Sequence, residues 1–184
     1  MTILHIDSSI NGDNSVSRVI SQSIVDRLKV GNPGMKVVRR DLGAEPLPHL
    51  TLGAFADSSI VDEFLAADIV VIGAPMYNFG VPSQLKAWLD RLAVVEKTFR
   101  YTQKGPEGLA GGKKVFIASS RGGFFGPGSP TSSLDYQETY LQVFLAFLGV
   151  TDITFIRAEG LAMGPEARLK AIAAAKDEVR KLAA

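Results

Sequence analysis

Ser8, Ser9, Ser15 and Ser17 bring four hydroxyls into the stretch Asp7-Ser8-Ser9-Ile10-Asn11-Gly12-Asp13-Asn14-Ser15-Val16-Ser17-Arg18. Where such a stretch opens a helix it suits a phosphate, because a helix N-terminus offers free N–H groups and the positive end of the dipole. Simple N-capping by Ser15 accounts for the same hydroxyls without a ligand. A second stretch, Ala74-Pro75-Met76-Tyr77-Asn78-Phe79-Gly80-Val81-Pro82-Ser83, sets apolar and aromatic side chains around Asn78 and Gly80. Met76, Tyr77 and Phe79 suit the side of a planar ring system, with the Asn78 amide free to donate to its edge. A Pro-bounded turn whose aromatics fill core fits the pattern equally. In the third stretch, Ser119-Ser120-Arg121-Gly122-Gly123-Phe124-Phe125-Gly126-Pro127-Gly128, adjacent glycines let backbone amides approach a ligand closely. A mobile surface loop explains those glycines as well, but it does not explain Phe124 and Phe125.

The segments between these stretches must position them. Short apolar runs alternate with stretches of helical period, the pattern of a parallel sheet with helices on both faces. Ile3 to Asp7 reads as the first strand, and Ser15 to about Val30 as a helix with Val19, Ile20, Ile24, Val25 and Leu28 at helical spacing. Lys36-Val37-Val38-Arg39 is a short, charged second strand suited to a sheet edge. Leu42 to Thr51 reads as irregular, and Asp57 begins a short helix through Val61, Phe64 and Leu65. Ile69-Val70-Val71-Ile72-Gly73 is apolar on both faces, as a central parallel strand must be. A helix from Ser83 through Leu92, a strand Lys114–Ala118, a helix Asp135–Phe147 and a strand Thr151–Ile156 follow. The last helix, from Pro165, places Leu169, Ile172, Val179 and Leu182 on one stripe. Five strands and about five helices give an α/β, doubly wound sheet of flavodoxin-like or Rossmann-like order, a single domain over 1–184. In such a sheet ligands bind at the carboxyl ends of the strands, where all three stretches fall.

Composition narrows the function classes. Twenty basic and nineteen acidic side chains give a net charge of +1, so no basic excess exists to displace phosphate counterions and nucleic acid is not expected as a partner. Without a cysteine there are no disulfides, iron–sulfur clusters or thiol nucleophiles. With only His5 and His49, a histidine-rich metal site is not expected. The start of the chain lacks the pattern of a secretory signal, and no apolar run nears the roughly 20 residues that span a bilayer. The expectation is a soluble, cytoplasmic protein with no membrane partner. Neither G-x-G-x-x-G nor a P-loop is present, which disfavours the usual NAD-binding domain and nucleotide hydrolysis.

Taken in order, Ser8-Ser9 with Ser15-Val16-Ser17, Pro75-Met76-Tyr77-Asn78-Phe79 and Ser120-Arg121-Gly122-Gly123 resemble the FMN-dependent NADH:azoreductase and NADH:quinone reductase family of flavodoxin-like flavoenzymes. Pro82-Ser83-Gln84-Leu85-Lys86, Thr98–Thr102, Gly105–Leu109 and Ala158-Glu159-Gly160 extend the resemblance nearly end to end. It implies that Ser9, Ser15, Val16 and Ser17 hold the FMN phosphate, and that Met76, Tyr77, Asn78 and Phe79 run along the isoalloxazine. Ser120, Arg121, Gly122 and Gly123 would then close over its pyrimidine edge, where oriented N–H groups favour the negative charge of reduced flavin. It further implies a homodimer in which the partner roofs each pocket, with Trp88 and Phe99-Arg100-Tyr101 as interface candidates; Trp88 at helical spacing reads equally as core. The implied reaction has two steps: NADH or NADPH reduces FMN and leaves, and a quinone or azo compound then takes the electrons in the same place. No catalytic side chain and no metal are expected, because the cofactor carries the chemistry. Phe124–Ser129 and Ala93–Glu96 depart from the family pattern and would shape the substrate pocket.

Three other readings share these loops. A flavodoxin-type electron carrier that docks by charge needs a surface of one sign, which a net +1 does not supply. A phosphoacceptor switch needs an Asp at the end of the third strand, where Ala74-Pro75 stand and only Asp7 waits at the first. A flavin-binding sensor without turnover would need no different sequence. His5 inside the first strand reads as structural, His49 as exposed or at a pocket rim. The Lys176–Lys181 charge run reads as the solvated face of the last helix.

Overall fold

A computed structural model describes residues 1–182 of the chain; Ala183 and Ala184, the last two positions of the expected domain, lie outside the described residues. Runs of β-branched and aliphatic residues build the sheet: β1 (Thr2–Asp7), β2 (Lys36–Asp41), β3 (Ile69–Pro75), then β6 (Lys114–Ser120) and β7 (Asp152–Ala158). Their order is β2-β1-β3-β6-β7, all parallel. Between β3 and β6 lie β4 (Phe99–Thr102) and β5 (Gly105–Gly108), a separate antiparallel hairpin. The expected α/β doubly wound sheet of five parallel strands is therefore present, in the flavodoxin-like of the two orders.

Strand alternation sends successive side chains to opposite faces, and each face has its own core. Leu4, Ile6, Val70, Ile72, Val115 and Ile117 pack under α2 (Ser59–Ala66), α3 (Ser83–Leu89) and α4 (Tyr136–Phe147). Ile3, Val71, Phe116 and Ala118 pack under α1 (Val16–Gly31) and α5 (Pro165–Arg180). β2 lies at an edge, as its charges require. Trp88 is fully buried, edge-on to Phe64 at 6.0 Å, and belongs to the core.

Three details differ from the sequence reading. The helix from Ser83 ends at Leu89, and Leu92 is buried from the turn beyond it. Leu169 is 70% exposed: buried Ala175 and Val179 with half-buried Ile172 form the inward stripe of α5, and Leu169 stands about a quarter-turn away at 3.6 residues per turn. The β4–β5 hairpin leaves no periodic trace in the sequence, because each strand is four residues long and β5 has Gly and Pro in place of apolar alternation. It is held by Phe99, which is buried and packs on Phe147 at 4.6 Å, while Tyr101 is exposed and Arg100 pairs with Glu107 at 2.8 Å.

Backbone contact also anchors the hairpin. A Cβ on Gly108 would lie 2.1 Å from the Gly149 nitrogen, and Gly149 itself has φ +91. Gly108→Ala should destabilise the fold by about 1–3 kcal/mol, the usual cost of overpacking, read as a shift in the denaturant midpoint.

Candidate functional site

β1 and β3 are neighbours from which the chain departs in opposite directions, so the crevice at their carboxyl ends is the topological switch point. The exits of β1, β3 and β6 are tied there one to the next. Ser8 donates its N–H and its hydroxyl to the Gly73 carbonyl, at 3.2 and 2.7 Å. Met76 N–H donates to the Ser120 carbonyl at 2.8 Å, and Arg121 N–H to that of Ala158 at 2.9 Å. The Tyr77 hydroxyl reaches back to the first loop, accepting from Ile10 N–H at 3.2 Å and lying 3.3 Å from the Ser9 hydroxyl. Phe79 and Phe125 meet edge-on at 5.9 Å, closing the second loop against the third. The three stretches therefore form one cleft.

In the first loop Ser15 caps α1, its hydroxyl accepting from Arg18 N–H at 3.2 Å, and the Ser15 and Ser17 hydroxyls are 3.0 Å apart. That cap leaves two first-turn donors: among the described residues, the N–H groups of Val16 and Ser17 have no acceptor. Ser9, Ser15, Val16 and Ser17 are all buried. Arg18 does not add charge to them; its guanidinium pairs with Asp41 at 2.6 Å.

The second loop is a tight turn. Tyr77 and Gly80 exchange both backbone bonds at 3.0 Å, and Asn78 and Phe79 between them have φ of +48 and +71. Left-handed backbone costs roughly 1–2 kcal/mol per L-residue; Asn tolerates it and Phe does not. The result exposes Asn78 and Phe79 side by side, with no acceptor for either N–H among the described residues.

In the third loop every carbonyl from Arg121 to Gly123 is already used: they accept from Leu161, Ala162 and Gly160 at 3.1, 3.0 and 2.9 Å. The N–H groups of Gly122 and Gly123 have no acceptor among the described residues. Arg121 differs from expectation. Its side chain does not enter the cleft but lies fully buried beneath it, paired with Asp135 at 2.8 Å, Glu138 at 2.6 Å and Glu159 at 3.2 Å. Its backbone N–H and carbonyl are both spent, so it offers a ligand nothing directly. A guanidinium cannot be deprotonated at neutral pH, and three carboxylates below the loop draw it inward.

Asp135 and Glu138 were not singled out from sequence as site residues, and Glu159 was named only within the Ala158-Glu159-Gly160 stretch, with no role of its own. The same holds for the network under the first loop. His5 Nε2 lies 2.9 Å from the Ser21 hydroxyl, which donates to Asp7 Oδ1 at 2.8 Å. Arg39 stands 3.6 Å from Asp7 Oδ2. His5 is thus structural as expected, and Asp7, 1% exposed, is not available as a phosphoacceptor. His49 is exposed. Beside the cleft, a largely apolar groove of about 650 Å³ runs past Gly80, Val81, Lys86, Tyr136, Tyr140 and Val143. No group of three or more His, Asp or Glu side chains among the described residues could hold a metal, and none of their helices is long and apolar enough to cross a membrane.

Burial pushes the Asp7 carboxyl up, but the His5 hydrogen bond, the charges of His5 and Arg18 and the Ser21 bond outweigh it and hold the group below the usual carboxylate range. A carboxyl held low stabilises the fold fully above its unfolded value and loses that contribution as pH falls through the folded one. Between about pH 5 and pH 2, the unfolding midpoint should therefore fall more steeply for the native chain than for Asp7→Asn. Parallel pH profiles would show that the network carries no such linkage.

Comparison with known proteins agrees with the fold. The model of a family described as having a flavodoxin-like fold matches residues 1–183. A Bradyrhizobium sp. (strain BTAi1) protein named FMN-dependent NADH:quinone oxidoreductase is 56% identical over 201 aligned positions, covering 100% of both chains. The crystal structure of azoreductase AzrA superposes with a TM-score of 0.89 at 27% identity, covering 98% of each chain. That of an azoreductase from Bacillus anthracis strain Sterne gives 0.87 at 27% identity and the same coverage.

Proposed function

Since the chain belongs to this family of flavodoxin-like fold, we propose that it is an FMN-dependent oxidoreductase that uses NADH or NADPH to reduce quinones and azo compounds. The observation that carries the reading is the set of six backbone N–H groups, on Val16, Ser17, Asn78, Phe79, Gly122 and Gly123, that have no acceptor among the described residues and surround one cleft. They fit FMN in kind and in order. The α1 N-terminus with the Ser9, Ser15 and Ser17 hydroxyls would take the phosphate dianion. Met76, Tyr77, Asn78 and Phe79 would flank the ring system, and the amides of Gly122 and Gly123, beside Ser120, would face its pyrimidine edge. Bound FMN would supply the redox chemistry: a hydride in from the nicotinamide and, with one further proton from solvent, two electrons and two protons out to the acceptor.

The chain's own part is to bind, to orient and to exclude water. Fixed N–H dipoles at a ring edge favour added negative charge there without reorganising. Phe79, Phe124 and Phe125 offer apolar surface to a planar donor or acceptor. One open cleft serves both, so the substrates take turns in it. The groove beside it, with exposed Tyr136 and Val143, is the face we assign to a second copy of the chain, giving a homodimer. A cytoplasmic setting accords with a nicotinamide donor.

Anaerobic NADH should bleach the flavin absorbance of the FMN-loaded protein, and initial rates with varied NADH and quinone should give parallel double-reciprocal lines. Flavin that only dithionite reduces would instead favour the carrier or sensor. Val16→Pro tests the phosphate contact directly, because Pro is well accepted at the first helical position and Ser15, at φ −76 and ψ 125, already has the conformation a following Pro requires. Losing that N–H should weaken FMN binding roughly tenfold or more, a bond to a charged acceptor being worth about 1.5–3 kcal/mol. Unchanged affinity would place the phosphate elsewhere.

A further inference from the structure

We propose that Glu159 is a positioning residue for the cleft: from outside it, this carboxylate fixes the loop Gly122–Gly126 so that its free amides and the Phe125 ring face the same ligand. The inference rests on the FMN reading above for what the loop faces, but the restraint itself is visible in the protein alone. One oxygen, Oε1 of Glu159, accepts from Phe125 N–H at 2.7 Å, Gly126 N–H at 2.8 Å and Arg121 Nη1 at 3.2 Å. The next three residues, Gly160, Leu161 and Ala162, donate to the carbonyls of Gly123, Arg121 and Gly122. A single segment at the exit of β7 therefore holds both halves of the loop, carbonyls in the first and amides in the second.

Arg121 sets the direction of that carboxylate. Its Nε bonds the Ser119 hydroxyl at 3.0 Å and Gln137 Oε1 at 3.1 Å, and its Nη2 faces Asp135 and Glu138. With the guanidinium so fixed, Nη1 points at Glu159. Little slack remains around the carboxylate. A Cβ on Gly126 would lie 2.8 Å from Glu159 Oε2, and one on Gly160, at φ +72, would lie 2.6 Å from Phe124 Cζ. Phe125, so held, stands edge-on to Phe79 and completes the aromatic side of the cleft.

A positioning role and a charge-balancing role predict opposite orders for two conservative variants. Glu159→Gln keeps the reach and an acceptor oxygen but loses the charge. Glu159→Asp keeps the charge but shortens the reach by one methylene. FMN titrated into each flavin-free protein, followed by quenching of flavin fluorescence, should bind roughly ten- to a hundredfold more weakly to Glu159→Asp, as the loss of supporting partners does at metal sites. Glu159→Gln should stay within about threefold, since neutral hydrogen bonds keep about half the strength of charged ones. In the same flavin-free samples, amide hydrogen exchange at Phe125 and Gly126 should speed up in Glu159→Asp and hold in Glu159→Gln, with the β1 and β3 amides unchanged in both. The reverse order, or equal loss in both variants, would overturn the proposal in favour of charge balance. Should the native chain take up no FMN, the FMN reading fails while the exchange rates still decide the restraint.

Discussion

The central strands are closed to water on both faces, and that constraint decides where polar chemistry can stand. β3 is buried along its whole length, and β1 and β6 are buried in all but their first residue. Donors on these strands are consumed by the ladder, so a ligand can meet free ones only where the ladder stops. At the carboxyl edge β1, β3 and β6 lie side by side, and each exit is bonded to its neighbour: Ser8 to Gly73, Met76 to Ser120, Arg121 to Ala158 beyond. The exits that line the cleft are therefore tied to one another at the edge of the sheet.

Two charged networks lie just under that edge. His5, Ser21 and Asp7 stand below the first loop, and Arg121 with Asp135, Glu138 and Glu159 stands below the third. Neither stabilises the fold more than well-packed aliphatic side chains would, because desolvating charges offsets most of their attraction. Their contribution is directional. Asp135 accepts from Gln137 and Glu138 N–H as the cap of α4, Glu138 also holds Arg157 of β7, and Glu159 holds the third loop. One guanidinium thus sets a helix start, a strand and a loop against each other. Apolar contacts, which have no preferred direction, would leave those three free to slide.

The fold was legible because its signals are local and redundant. Ile69–Ile72 reads as a doubly buried strand from composition alone, and the charged Lys36–Arg39 as an edge; both stand where expected. The three loops were legible for a similar reason, since Gly, Ser and aromatic clusters at strand exits are conspicuous. What the sequence withheld was long-range. Arg121 beside two glycines looks like a ligand contact, and only the arrival of Asp135, Glu138 and Glu159 from later segments shows that it is drawn inward. The hairpin stayed hidden because contact between the Gly108 and Gly149 backbones holds it, and no periodicity records that. Leu169 misled because a stripe of small residues, Ala171 and Ala175, serves the α1–α5 packing as well as a larger side chain would.

The turn after β3 separates what the fold needs from what the cleft needs. Asn-Gly would make this turn without steric cost, since both central residues are left-handed. The chain instead carries Phe79 at φ +71, held there by the paired Tyr77 and Gly80 and by Tyr136 N–H, which donates to the Phe79 carbonyl at 3.2 Å. The sheet gains nothing from that ring, which is nearly half exposed and touches Phe125 across the cleft. Strain that the scaffold does not require, maintained by the turn's own backbone pair and by one bond from the start of α4, marks a side chain kept for what it faces. The same reasoning separates an enzyme from a carrier. A carrier needs only an exposed flavin edge, whereas Phe79 and Phe125, edge-on at 5.9 Å, set an apolar wall beside the loop amides. Such a wall has a use only if flat aromatic molecules come to rest against it, which is what a protein passing electrons from a nicotinamide to a quinone must arrange.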